Sequence, residues 1–185
     1  MMRGLNFLKG DVFQMKENKI YKLVLAAVFC ALVFTMTFIS IPAPSVGNIN
    51  LGDCMVILSA CLIGGWYGVF AGAVGSALCD LAGGYAIYAP GTLLIKALMV
   101  IVILLVRKFV LKNNKPLSLV VSGICAEIVM IIGYFIYEAF VLGYGMGAIM
   151  NIPFNAIQGV LNLIAAVVLF ATLKKAGILK LFSDK

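Results

Sequence analysis

Six apolar segments, at about 20–42, 51–64, 66–82, 90–106, 117–142 and 151–173, follow one another with little polar sequence between them. As helices rising about 1.5 Å per residue, four of them reach across a hydrocarbon core roughly 30 Å thick, or nearly so. The second is short for a crossing. A soluble domain is about 45–50% apolar and 25% charged, whereas this chain is 64% hydrophobic and 11% charged. It reads as an integral, multi-pass protein of the cell membrane.

Positive charge supplies the topology. Every one of the 14 Lys and Arg residues except Lys96 falls within 3–22, 107–115 or 174–185. Lysine and arginine beside apolar spans mark the cytoplasmic side. If all three clusters lie there, an even number of crossings separates each pair, which four crossings before Arg107 and two after it satisfy. The expected fold is an all-α membrane protein, a six-transmembrane-helix bundle with both termini cytoplasmic. It divides into a tail at 1–19, a membrane domain at 20–175 and a second tail at 176–185. A re-entrant hairpin over 51–82 would keep the same parity. The net charge of +7 thus belongs to topology rather than to nucleic acid, since the positives form no basic face with interleaved aromatics. The run after the first twenty residues exceeds a secretory h-region in length, so the first helix is expected to be retained.

The connections at about 43–50, 83–89 and 143–150 contain no Lys or Arg and are rich in Gly, Pro, Tyr and Asn. They read as outer turns and short lids. Small residues recur every four positions in the third segment, at Gly64, Gly68, Gly72 and Ser76, continuing to Asp80 and Gly84. This spacing lets helix backbones approach closely. Because four residues exceed one turn, the stripe precesses by about 40° per step and should meet more than one neighbour within the bundle. Ala27, Ala31 and Thr35 form a weaker version in the first helix. The five cysteines lack a CxxC pair and read as small buried apolar residues.

Polar residues inside the apolar segments are the candidates for function. A lysine at the bilayer centre costs about 2.5–3.5 kcal/mol unless paired or hydrated, so Lys96 is expected to form an ion pair with Asp80 or Glu138, to snorkel outward, or to meet a substrate. Asp53, Asp80 and Glu138 fall in the outer half, and Glu127 lies nearer the middle. Asp53 is equally placed to cap the second helix. Asn151, Asn155, Gln158 and Asn162 are spaced i, i+4, i+7 and i+11, which sets four amides on one stripe. Amides both donate and accept, so the stripe suits a ligand with ring nitrogens, carbonyls or hydroxyls, or hydrogen bonds between helices. Tyr85, Tyr88, Tyr134, Tyr137 and Tyr144 crowd the outer end, as an interfacial belt or a stacking surface. Trp66 reads as an anchor at the cytoplasmic interface.

With no histidine, the chain lacks HExxH zinc chemistry and Ser-His or Cys-His pairs, and it holds no GxxxxGK[ST] loop. No metal or cofactor is expected, and energy for any transport must come from a gradient or a partner.

The paired alanines of AAVFCALV, the stretch NINLGD, the glycine-rich GGWYGVFAGAVGSALCDLAGGY and YAPGTLLIK, in that order, resemble the substrate-binding (S) component of energy-coupling-factor (ECF) vitamin transporters. The resemblance covers about 20–175 and is closest to the branch of riboflavin, pyridoxine-type and hydroxymethylpyrimidine-type binders. It implies a six-helix bundle that takes a small-molecule vitamin near its outer face and joins a membrane coupling subunit and two cytoplasmic ATPases. The family's AxxxA docking pattern maps onto Ala27 and Ala31. Combined with the polar residues above, it gives a substrate-binding set of Asn50, Asp53, Asp80, Tyr85, Tyr88, Lys96, Tyr134, Glu138, Asn151 and Asn155. Competing readings are an intramembrane enzyme using convergent carboxylates among Asp53, Asp80 and Glu138, a structural subunit held by the glycine stripe, and a gradient-driven carrier.

Overall fold

The computed structural model describes residues 19–42, 48–109 and 115–181. Nearly all of the first expected tail, the end of the second, and the middle of the first outer connection and of the basic loop lie outside the described residues. Six main helices are present: α1 Lys19–Phe38, α2 Gly52–Leu62, α3 Gly65–Ala82, α4 Ala89–Phe109, α5 Lys115–Ile136 and α6 Ile152–Lys175. Each corresponds to one of the apolar segments. α1 stops earlier than its segment because the chain turns extended ahead of Pro42, where a helical conformation is disfavoured. Ser40–Pro42 forms strand β1 and pairs antiparallel with β2, Asn48–Asn50, with Ser40 opposite Asn50. This small hairpin was not expected from the sequence.

Among the described residues, four helical stretches are long and apolar enough to cross a membrane: Lys19–Phe38, Ala89–Phe109, Leu117–Val141 and Gly145–Lys175. The eleven-residue α2 is only about 16 Å long, roughly half a hydrocarbon core. It is apolar nearly all round and sits at the centre of the bundle, against α1, α3, α4 and α6. Val56, Ile57, Leu58 and Ala60 are fully buried there, as expected of a helix without a polar face. α2 and α3 form a tight helical hairpin turned at Gly64 and Gly65, whose φ values of 68° and 54° favour residues without a Cβ.

The glycine stripe packs inside the bundle and meets two neighbours. A Cβ at Gly68 would lie 3.1 Å from the Ser59 carbonyl oxygen of α2, and one at Gly72 would lie 3.1 Å from Val56 and 3.2 Å from Val100 of α4. The closest approach to α1 comes from Gly75, off the stripe, where a Cβ would stand 2.6 Å from the Cys30 carbonyl oxygen.

The depth of α2 positions the site. At its C-terminal end, Arg107 Nη1 donates to the Cys61 carbonyl at 3.1 Å, which levels that end with the basic end of α4. At its N-terminal end, Asp53 meets Lys96, two turns into α4 and therefore about 10 Å below the start of that helix. The first turn of α2 thus lies below the N-terminal end of α4. On that side the chain from α5 to α6 makes a π-helical turn, Tyr137–Val141, and a 3-10 turn, Gly145–Asn151.

Candidate functional site

The buried centre of the site is an ion pair between Lys96 Nζ and Asp53 Oδ1. Both side chains are almost wholly buried, so Lys96 does not snorkel. Its partner is neither Asp80 nor Glu138, the two acids expected from sequence. Asp53 Oδ2 accepts a hydrogen bond from Gln158 Nε2 at 2.9 Å. With both carboxylate oxygens engaged across helices, Asp53 makes no side-chain cap for α2. Asn50 serves that end instead, its Oδ1 accepting from the Gly52 amide at 3.0 Å.

The two deeper amides of α6 grip the chain entering α2. Gln158 Oε1 accepts from the Asn50 amide at 3.1 Å. Asn162 Oδ1 accepts from the Cys54 amide at 2.7 Å, and its Nδ2 donates to the Asn50 carbonyl at 2.8 Å. The Lys96 ammonium also stands over the Tyr134 ring, 5.3 Å from its centroid, a favourable placement for a cation on an aromatic face. Tyr134 shares a 3.0 Å hydrogen bond with the Thr92 hydroxyl. Glu127 is buried beneath this network, its carboxyl against Gly159, where a Cβ would come within 3.0 Å of Oε2.

A second polar pair lies towards the α5–α6 connection, where Asn151 Nδ2 donates to Glu138 Oε2 at 2.7 Å. Tyr88 lies beside Glu138 and Tyr144. Tyr137 donates to the Ile87 carbonyl at 2.7 Å, and its ring occupies the space left open by Gly91, where a Cβ would meet ring carbons at 2.7 Å. The Tyr88 ring sits 6.4 Å from Tyr85 and 6.3 Å from Tyr137. These tyrosines therefore form one aromatic cluster rather than an even belt.

Beside this cluster is a cavity of about 260 Å³, lined by Thr37 at the end of α1, Asn48 and Asn50 of β2, Asp80 near the end of α3, and Tyr85, Tyr88 and Thr92. Of the expected substrate-binding residues, Asn50, Asp80, Tyr85 and Tyr88 line it. Asp53, Lys96 and Tyr134 are not among its described lining residues; Tyr134 bonds Thr92 of the lining, and Asp53 is linked to Asn50 through Gln158. Glu138 and Asn151 pair with each other near Tyr88, and Asn155 is half-buried one turn further along α6. Thr37, Asn48 and Thr92 were missed from sequence. Thr92 was legible in principle, because it precedes Lys96 by four residues and so shares its helix face.

At the other edge of the bundle, α1 buries Ala26, Phe29 and Val33 and leaves Ala27 and Ala31 exposed. The three expected carboxylates do not converge as an acid–base pair: Asp53 is held by Lys96 and Gln158, Glu138 by Asn151, and Asp80 stands in the cavity wall.

The family model for the ECF-type riboflavin transporter, S component, matches residues 17–175. The chain belongs to this family. A protein of Pyrococcus woesei described as "Uncharacterized protein in gap 3'region" is 36% identical over 146 residues, 78% of this S component and 95% of the relative. A solved structure described as "Structure and mechanism of the S component of a bacterial ECF transporter" shares the fold, with a TM-score of 0.69 at 24% identity, covering 85% of this chain and 98% of that one. As an S component the protein is a membrane-embedded transport subunit and not an enzyme. S components work with a membrane coupling subunit and ATPases and bind a vitamin-type substrate.

Proposed function

We propose that this S component binds a small water-soluble vitamin in the outer-end cavity and delivers it inward with an ATP-driven coupling module. Riboflavin is the first candidate, as the family description suggests, ahead of pyridoxine-type and hydroxymethylpyrimidine-type vitamins. The observation that carries the reading is the composition of the cavity wall. Asn50, Asp80 and Thr92 offer amide, carboxylate and hydroxyl groups beside the Tyr85 and Tyr88 rings, a combination suited to a polar, planar heterocycle. At about 260 Å³ the cavity lies just below the usual range of ligand sites, about 300–1,000 Å³, so it suits a ring system, with any attached chain extending beyond it.

In this reading Lys96 supports the site rather than supplying charge to it. Its ammonium is neutralised by Asp53, and the pair fixes the start of α2 under the cavity. The topology that accompanies it has 20–175 as the membrane domain and both ends on the cytoplasmic side, so the cavity opens outward. ATP hydrolysis belongs to two cytoplasmic ATPases acting through a membrane coupling subunit, and the exposed Ala27–Ala31 face of α1 is the docking surface for that subunit.

The test is to purify the protein gently from vitamin-rich cells, denature it and identify released small molecules by mass spectrometry. Stoichiometric riboflavin supports the full reading. Release of a pyridine or pyrimidine vitamin instead reassigns the substrate. If nothing is released and none of these vitamins stabilises the protein against heat, the binding function is refuted.

A further inference from the structure

Among the described residues that line the cavity, only Asp80 is ionisable as a carboxylate, and none is a Lys or Arg. Lys96, the cation closest in sequence, is committed to Asp53. Asp80 Oδ2 is buried and makes no hydrogen bond of full geometry among the described residues, although the Thr92 hydroxyl, which is shared with Tyr134, lies within reach of the carboxylate. A carboxylate whose acceptor capacity is only partly used carries a desolvation cost that a ligand donor would lower. The backbone around it is fixed, with the Gly83 amide bonded to the Cys79 carbonyl and the Tyr85 amide to the Asp80 carbonyl, each at 2.8 Å. Asp80 is thus a pre-set acceptor rather than a mobile surface acid.

Asn50 supplies the complementary group. Its Oδ1 is occupied by the Gly52 amide, which fixes the orientation of the side-chain amide and leaves Nδ2 as the end with donors to offer. Among the described residues, Nδ2 makes only a long 3.5 Å contact to the Asn48 carbonyl. The cavity is therefore lined by a carboxylate with spare acceptor capacity and by an amide with an under-used donor.

We propose that Asp80 and Asn50 together read a lactam or imide edge, a ring N–H beside a ring carbonyl, with Asp80 accepting from the N–H and Asn50 donating to the carbonyl. This deepens the vitamin-binding reading and rests on it. An isoalloxazine ring carries such an edge, whereas a pyridoxine-type ring does not. Asp80 is then a specificity-determining residue that separates a heterocycle bearing the N–H from the same ring alkylated there.

The experiment compares riboflavin with riboflavin methylated at its imide nitrogen, on vitamin-depleted full-length protein, by titration. The wild type should prefer riboflavin by roughly 10- to 100-fold, the range for a hydrogen bond to a charged group. Asp80→Ala should weaken riboflavin binding by a similar factor and bind the two compounds equally. Asp80→Asn, which keeps a neutral acceptor of the same shape, should restore part of the preference, and it decides the matter if Asp80→Ala does not fold. Equal binding of the two compounds by the wild type, or a full preference retained by both variants, overturns the assignment while leaving riboflavin binding in place. If the wild type binds neither compound, the riboflavin reading and this one fall together.

Discussion

Lys96 of α4 is paired with Asp53 in the first turn of α2, and with neither Asp80 nor Glu138. The pair joins a long helix to the short one that it surrounds. Gln158 extends the connection to α6 by holding the second oxygen of Asp53. Three helices are therefore tied at one depth, linked through Gln158 to Asn50 of the cavity lining.

Breaking this tie from one side should be worse than removing it. Lys96→Met leaves the Asp53 carboxylate buried without its cation, at an expected cost of about 3–5 kcal/mol. Adding Asp53→Leu to that variant removes the stranded charge and should recover much of the loss. Thermal unfolding in detergent checks the order. A single variant as stable as the wild type would show that the pair does not hold α2 in place.

The α6 amides make a separate prediction. Asn162 is fully buried and bonds both the Cys54 amide and the Asn50 carbonyl. Asn162→Ala leaves both groups unsatisfied, at about 1–3 kcal/mol for each buried group. Amide hydrogen exchange should rise at Asn50–Cys54 well before it rises in the middle of α4. Unchanged protection there would mean that the hairpin and α2 hold that segment without help from α6.

The six helices were legible because apolar length and flanking charge act locally along the chain. Lys96 stood out by the same logic, and the amide stripe of α6 followed from its spacing. Their partners were not legible. Which acid meets Lys96 depends on how far α2 sits below the N-terminal end of α4, and that depth is set by Arg107 on Cys61 and by α6 gripping Asn50, contacts between residues 46 and 108 or more positions apart. The three-residue strands Ser40–Pro42 and Asn48–Asn50 are too short to show an alternating pattern. Gln158 and Asn162 looked as suited to a ligand as to helix contacts until the chain entering α2 was seen to occupy them.

Close packing of α1 on α3 can be tested at a single glycine. At Gly75 an added Cβ would stand 2.6 Å from the Cys30 carbonyl and 2.9 Å from Val33 Cβ, neither of which is the free end of a flexible side chain. Gly75→Ala should therefore separate the helices and cost about 1–3 kcal/mol, the usual range for overpacking. Gly147→Ala, where nothing lies within 4 Å, is the matched control and should unfold with the wild type. Equal stability of the two variants would contradict the α1–α3 contact.

The docking proposal separates binding from transport. Ala27 and Ala31 lie on the face of α1 turned away from Ala26, Phe29 and Val33, beside the exposed Leu23, Val24 and Val28. A larger side chain there faces away from the bundle and has no core to disturb, but it would block the close helix approach that small residues permit. Ala27→Trp and Ala31→Trp should thus unfold at the wild-type temperature and bind vitamin normally as solitary subunits. In cells that supply the coupling module, uptake should fall at least tenfold, and co-purification of the membrane coupling subunit should fall with it. Uptake at the wild-type level in both variants would remove α1 as the docking surface; loss of vitamin binding along with uptake would instead assign these alanines to the integrity of the site.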